Sequence, residues 1–253
     1  MKILAILGSP RKKNTYKVLQ MFEERFKERG VEFEYLFLKD YELGFCKGCY
    51  ACMRKGEEKC YNNKIVKQIK ERIEAADGIV FASPVFCMQI TAMMKNFFDH
   101  FAYIIHRPCF LEKSAILLAT TQGTGLPASL KYMKTIVKNW GMNVVGELGI
   151  RMAYLEREGK SADKIYKKMD KLTESLVSTI QKKERKSPTV SDLIYFRAMR
   201  LVIEYTKAQS PADHEYWTER GWFEKNYFVD VRINPLKNTL AKIVARLIKK
   251  ELD

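Results

Sequence analysis

The stretch Lys2-Ile-Leu-Ala-Ile-Leu-Gly-Ser-Pro-Arg-Lys-Lys-Asn-Thr15 decides the fold. Its first six residues hold five apolar side chains without alternation, the pattern of a strand buried on both faces. Gly8-Ser9-Pro10 ends that strand. From about Asn14 a helix follows, with Val18, Leu19, Phe22 and Phe26 on one face. Working outward, Glu32 to Leu38 alternates as a second strand, and Ile65, Val66, Ile69, Ile73 and Ala76 form a second helical stripe. Gly78 to Ala82 reads as a third strand, and Ile90, Met94, Phe97, Phe98 and Phe101 mark a third helix. Ser114 to Thr120 is a fourth strand, Leu130 to Trp140 a fourth helix, and Met142 to Gly149 a fifth strand. A fifth helix carries Ile165, Met169, Leu172 and Leu176. Strands that alternate with helices predict an α/β fold: a doubly wound, five-stranded parallel sheet covered on both faces through right-handed crossovers. Ligands of such sheets bind at the carboxyl ends of the strands. The loops that matter are therefore those after Leu7, Leu38, Ala82 and Thr120.

The chain has 253 residues, 47% of them hydrophobic and 12% aromatic, enough for a full core and too apolar for a disordered chain. Its net charge of +15 is spread evenly: residues 1–150 carry 23 basic and 15 acidic groups, and residues 151–253 carry 22 and 15. No isolated basic arm exists, so no specific nucleic-acid partner is expected; a generally basic surface suits anionic cofactors, acidic proteins or lipid headgroups. No apolar run approaches a membrane span, and Met1 to Leu7 is too short for a secretory segment. Six cysteines, four of them between 46 and 60, do not resemble a secreted disulfide framework. The expectation is a cytoplasmic protein with thiols reduced or bound to metal.

The pattern changes after Lys182, which sets the expected boundary between a first domain, residues 1–182, and an extension, residues 183–253. Lys182-Lys-Glu-Arg-Lys-Ser-Pro188 reads as a charged linker, and Ser191 as the cap of an apolar helix to about Lys207, which Ser210-Pro211 breaks. Residues 212–235 are rich in Tyr, Trp and Phe. A last helix from Leu236 places Leu240, Ile243, Val244, Leu247 and Ile248 on one face.

Three loops carry recognisable chemistry. In Gly8-Ser9-Pro10-Arg11-Lys12-Lys13-Asn14-Thr15 a strand-to-helix turn aims free N–H groups and the positive helix end at one point, and Ser9, Arg11, Asn14 and Thr15 add donors suited to a phosphate. It is neither a P-loop nor a G-x-G-x-x-G turn. After the third strand comes Ser83-Pro84-Val85-Phe86-Cys87-Met88-Gln89, and after the fourth Thr120-Thr121-Gln122-Gly123-Thr124-Gly125. An apolar turn with an aromatic, beside a hydroxyl-rich glycine turn, suits a flat heteroaromatic ring with a polar edge.

Together these strings resemble the flavodoxin-like NAD(P)H-dependent FMN reductases over about residues 1–150. The resemblance implies a flavodoxin-like core and FMN as cofactor. It places the FMN phosphate at Ser9, Arg11, Asn14 and Thr15, and the ribityl chain and ring between Pro84, Val85, Phe86, Cys87 and Met88 on one side and Thr121, Gln122 and Gly123 on the other. NAD(P)H is then a candidate electron donor.

The loop after the second strand holds Cys46, Cys49, Cys52 and Cys60, spaced C-x2-C-x2-C-x7-C. Thiolates at i, i+3 and i+6 on a tight turn, closed by a fourth, suit one polymetallic centre. The motif is similar to that of the iron-sulfur flavoproteins, a branch of the same family, which implies a [4Fe–4S] cluster on these four residues and a ferredoxin-like electron carrier. Its last spacer is longer than in the ferredoxin run, and no proline follows Cys60. Free thiols, a zinc site or a redox pair remain open alternatives. Cys87 and Cys109 lie outside this motif and read as small hydrophobes.

His100, His106 and His214 show no ligand spacing and read as surface or hydrogen-bonded groups, and Met93-Met94 and Phe97-Phe98 as core. Lys164, Lys167, Lys168 and Lys171 form a solvated face that also suits an acidic electron carrier. Three functions compete: an iron-sulfur flavoprotein passing electrons between cluster and FMN, a cluster-free NAD(P)H-dependent reductase of quinones or flavin, and a non-enzymatic membrane-peripheral protein. No side chain is expected to act as a catalytic base. Since the resemblance implies a flavin at a subunit interface, a homodimer or tetramer is expected, with the helix at Leu193 to Tyr205 in the contact and the aromatic segment over a neighbour's flavin. For the last helix, a partner subunit is preferred over an anionic membrane surface.

Overall fold

The computed structural model describes residues 1–157 and 159–252. Its strands are β1 (Lys2–Leu7), β2 (Glu32–Phe37), β3 (Gly78–Phe86), β4 (Gln89–Ile90), β5 (Ser114–Thr121) and β6 (Asn143–Arg151). The helices of the first part are α1 (Asn14–Lys27), α2 (Ala51–Arg54), α3 (Asn63–Ala75), α4 (Ala92–His100), α5 (Tyr103–His106), α6 (Leu126–Asn139), α7 (Met152–Leu155) and α8 (Lys160–Gln181). The extension holds α9 (Val190–Tyr205), α10 (Pro211–Glu219) and α11 (Pro235–Leu252). Five parallel strands pair in the order β2-β1-β3-β5-β6, and β4 forms a short antiparallel hairpin with the end of β3.

Alternate residues of the central strands feed two cores. Leu4, Ile6, Ile79, Phe81 and Leu117 pack with residues of α3, α4 and α6 around the buried Trp140, while Ile3, Ala5, Leu7, Val80 and Leu118 pack against α1 and α8. Burial on both faces explains why these strands read as continuous apolar runs.

Four boundaries differ from expectation. β3 does not end at Ala82 but runs to Phe86: it pairs with β5 as far as Pro84↔Thr120 and then, through Val85 and Phe86, with β4. The apolar turn is therefore a hairpin whose corner is Cys87 and Met88, at φ 46° and 68°. Ile90 belongs to β4, and Thr91 caps α4, accepting from Met94 N at 3.1 Å and donating to Gly8 O at 2.6 Å. α6 begins at Leu126, four residues early, with a proline in its first turn. Thr189 rather than Ser191 caps α9: its hydroxyl accepts from Asp192 N, and Asp192 Oδ2 accepts from Thr189 N.

The charged segment after α8 is strapped to the sheet. Lys186 donates to the Val144 and Val145 carbonyls, and Arg185 to those of Leu111 and Gly141. Beyond it, Phe196, Met199, Ile203, Trp217, Trp222 and Phe228 build a third cluster. The aromatic segment and most of the apolar face of α9 pack inside this chain, with Val202 and Tyr205 left exposed. On α11, Ala241 is buried, whereas Leu236, Leu240, Ile243 and Leu247 point to solvent. No helix among the described residues is long and apolar enough to cross a membrane.

Trp217 is fully buried and at the centre of the third cluster. Trp217→Ala is expected to cost about 3–5 kcal/mol, measured as a lower urea midpoint by circular dichroism; an unchanged midpoint would show that the extension adds nothing to stability.

Candidate functional site

At the carboxyl ends of β1, β3 and β5 lies a cavity of about 340 Å³. Ser9, Arg11, Asn14, Thr15, Pro84, Val85, Phe86, Thr121, Gln122 and Gly123 all line it, as the sequence suggests, together with Lys13, Thr120 and Met152. Cys87 and Met88 do not: they form the hairpin corner, where Met88 Sδ accepts a hydrogen bond from Thr124 at 3.1 Å. Cys87 is exposed there rather than packed as a small hydrophobe. Met152 follows the fifth strand and belongs to none of the three loop motifs of the sequence.

The first loop is built to receive an anion. Ser9 Oγ accepts from Arg11 N and donates to Arg11 O, rounding the turn. No side chain caps α1, and no acid lies in its first turn, so its first N–H groups and the cations Arg11 and Lys13 face no competing carboxylate there. The hydroxyls of Thr15 and Thr120, both buried, stand 2.7 Å apart and tie this loop to β5. In the third loop Thr121 Oγ1 accepts from Gly123 N at 3.1 Å and donates to Thr124 O at 3.2 Å. Gly125 (φ +93°) lets this loop approach the β3–β4 hairpin: a Cβ there would lie 2.7 Å from Val85 Cγ1. The cavity thus joins a phosphate-sized donor cluster to an apolar wall of Pro84, Val85, Phe86 and Met152, the donor set that FMN requires. Among the described residues, neither a carboxylate nor a histidine lines it.

A second cavity, of about 250 Å³, is lined by Cys46, Cys49, Cys52 and Cys60 with Tyr50, Tyr61, Asp99 and His100. Left-handed backbone at Gly48 and Tyr50 turns the loop back on itself before α2, which carries Cys52. All four cysteines are free thiols. Burial, together with the charge of Cys60 and Cys46, pushes the Cys52 thiol up to about 11, and burial with Cys46 and Cys49 raises that of Cys60. Among the described residues, no three His, Cys, Asp or Glu groups converge tightly enough to hold a single metal ion.

Two residues of α4 anchor this loop, and the sequence reading singled out neither for that role. Asn96 donates to the Leu43 and Gly44 carbonyls and accepts from Cys46 N at 2.9 Å. His100, buried and hydrogen-bonded, lies 2.7 Å from Gly44 O through Nε2 and 3.9 Å from Cys60 Sγ through Nδ1. Their i, i+4 spacing puts both on one helix face and is the signal available in the sequence. Asp99 pairs with Lys95 at 2.5 Å. Met94, Phe97 and Phe98 are core, as expected. Cys109 is partly buried, and burial pushes its thiol up to about 12.

With this geometry in hand, comparison with known proteins defines the class. Residues 1–153 match the model of the NADPH-dependent FMN reductases. The chain belongs to that family and is a flavin-dependent oxidoreductase. Among its relatives, an iron-sulfur flavoprotein of Archaeoglobus fulgidus is 30% identical over 88% of this chain and 100% of its own length. A second iron-sulfur flavoprotein, from Clostridioides difficile, is 29% identical over 81% of this chain and 90% of its own. An apo NADH:FMN oxidoreductase structure superposes with a TM-score of 0.54 at 22% identity, covering 75% of this chain and 97% of that one, a likeness of fold.

The thiol environments set an order of reactivity, because only thiolate is alkylated and a raised pKa leaves less of it at neutral pH. In reduced, metal-free protein, iodoacetamide at pH 7.5 is expected to modify exposed Cys46, Cys49 and Cys87 first, and Cys52 and Cys109 last. The Cys52 rate should keep climbing towards pH 11. Peptide mass spectrometry reads the order, and Cys52 reacting as fast as Cys87 would contradict it.

Proposed function

We propose that this chain is an iron-sulfur flavoprotein that holds FMN in the first cavity and a [4Fe–4S] cluster on Cys46, Cys49, Cys52 and Cys60. When bound, FMN supplies hydride and single-electron chemistry and the cluster single-electron storage. The observation that carries the reading is that four free thiols, drawn from fifteen residues of loop and short helix, line one cavity. Their C-x2-C-x2-C-x7-C spacing suits a polynuclear centre. Two long, similar relatives with iron-sulfur flavoprotein names support the same reading.

Each residue then has a defined task. The N–H groups that open α1, with Ser9, Arg11, Asn14 and Thr15, bind the phosphate. Pro84, Val85, Phe86 and Met152 exclude water from one face of the ring, and Thr121, Gln122 and Gly123 orient its polar edge. Asn96 and His100 keep the cysteine loop in place. The basic surface, including the exposed lysines of α8, suits an acidic ferredoxin-like carrier as electron donor.

Two substitutions test the assignment on anaerobically prepared protein. Cys49→Ser is expected to lose iron and sulfide while retaining FMN; a full iron complement would remove Cys49 from the ligand set. Arg11→Ala is expected to weaken FMN binding about tenfold, roughly 1.4 kcal/mol for one charge-assisted hydrogen bond. An unchanged Kd by flavin fluorescence would place the phosphate elsewhere. An iron-free flavoprotein that turns over NADPH with a quinone would instead mark a cluster-free reductase.

A further inference from the structure

The C-terminal extension grips one short segment of the flavin-binding part, Ile105 to Pro108. Tyr195 Oη of α9 donates to Ile105 O at 3.0 Å. From α10, Trp217 Nε1 donates to His106 O at 2.7 Å and Tyr216 Oη to Pro108 O at 2.8 Å. Asp213, fully buried on the same helix, reaches two side chains of that segment: Oδ2 lies 2.8 Å from His106 Nδ1, and Oδ1 lies 3.1 Å from Arg107 Nε. The second pair is an ion pair with its atoms off the line of a hydrogen bond.

The segment so held carries Arg107, whose side chain is 7% exposed. Its other two nitrogens point into the cysteine loop. Nη1 donates to Glu57 Oε2 at 2.9 Å, and Nη2 donates to the backbone carbonyl of Cys52. The guanidinium also lies 5.0 Å from the Tyr103 ring. One buried residue therefore joins the extension on one side to the cysteine loop on the other. α5, which supplies His106 and ends just before Arg107, is one helical turn long and has little stability of its own. Its placement depends on what packs against it.

Building on the cysteine centre proposed above, we infer that the extension serves to hold Arg107 against Cys52. Arg107 is a positioning residue for the cysteine loop and the fixed positive charge beside its thiolates, and Asp213 positions Arg107. The chemistry of the pair favours this role. A guanidinium does not lose its proton in a protein, and its planar fork binds two acceptors in fixed directions. A cation held out of water beside an anionic, thiolate-bound group stabilises the more negatively charged, reduced form of that group.

The test uses the full chain with Arg107→Met, Arg107→Lys, Asp213→Asn and the mild Tyr216→Phe, each checked for native near-ultraviolet circular dichroism. The first readout is hydrogen–deuterium exchange over residues 46–60 in metal-free protein, which does not depend on a cluster. Exchange is expected to rise several-fold in Arg107→Met and Asp213→Asn, and less in Tyr216→Phe. Unchanged exchange in Arg107→Met overturns the positioning role, whatever metal the wild type holds. The second readout is the midpoint potential of iron-loaded protein. It is expected to fall by about 59 mV, a tenfold shift in a one-electron equilibrium, in Arg107→Met and to be largely restored in Arg107→Lys. An unchanged potential in fully loaded Arg107→Met overturns the electrostatic role. A wild type that binds no iron overturns the cluster reading instead, and the exchange experiment still decides the positioning role.

Discussion

The parallel pairing of β1 with β2 and β3, and of β3 with β5, is the constraint from which the rest of the molecule follows. Strands buried on both faces have no free side for chemistry, so helices cover the sheet and function is confined to the loops at its carboxyl edge. The 2.7 Å contact between Thr15 and Thr120 then fixes the loop after β1 against the end of β5. Thr91, bonded to Gly8 O and capping α4, ties the same loop to the hairpin side. The first cavity is the space these two ties leave between three loops. Its donors point inward because the start of α1 has no cap of its own.

The cysteine loop is placed differently. A segment with little regular structure depends on its surroundings for shape, and here it is bonded from two sides. Asn96 and His100 reach it from α4, a helix rooted in the core, and Arg107 reaches it from a segment gripped by the extension. These anchors hold the loop that brings the four cysteines to one cavity. α4 stands beside both sites: its cap, Thr91, donates to Gly8 O at the start of the first loop, and Asp99 and His100 at its other end line the second cavity.

How much of this was legible in the sequence depends on the range of the interaction. The five strands and the phosphate-binding turn were readable because their signals are local: the unbroken run Lys2–Leu7 followed by Gly8-Ser9-Pro10, and the apolar spacing after Asn14. The C-x2-C-x2-C-x7-C spacing was readable for the same reason. Cys87 and Met88 stand at the hairpin corner, outside the cavity lining, because strand pairing, with β5 as far as Pro84 and then with β4, carries β3 past its apolar run. Met152 belongs to none of the motifs quoted for the other loops. Arg107 and Asp213 carry no motif: they lie 106 residues apart and meet only through the packing of α10 on α5, which periodicity does not reveal. The stripe of α11 was seen, but its outward direction is set by Ala241, the small residue that packs inward.

The central claim is that one chain holds both a flavin and a thiolate-bound cluster. Its most direct test is an ultraviolet-visible spectrum of anaerobically purified protein, with iron and acid-labile sulfide counted on the same sample. Flavin bands over a broad thiolate–iron absorption, with about four irons and four sulfides per chain, are the expected result. Flavin bands without iron after anaerobic reconstitution would contradict the account and leave a flavin reductase with free thiols.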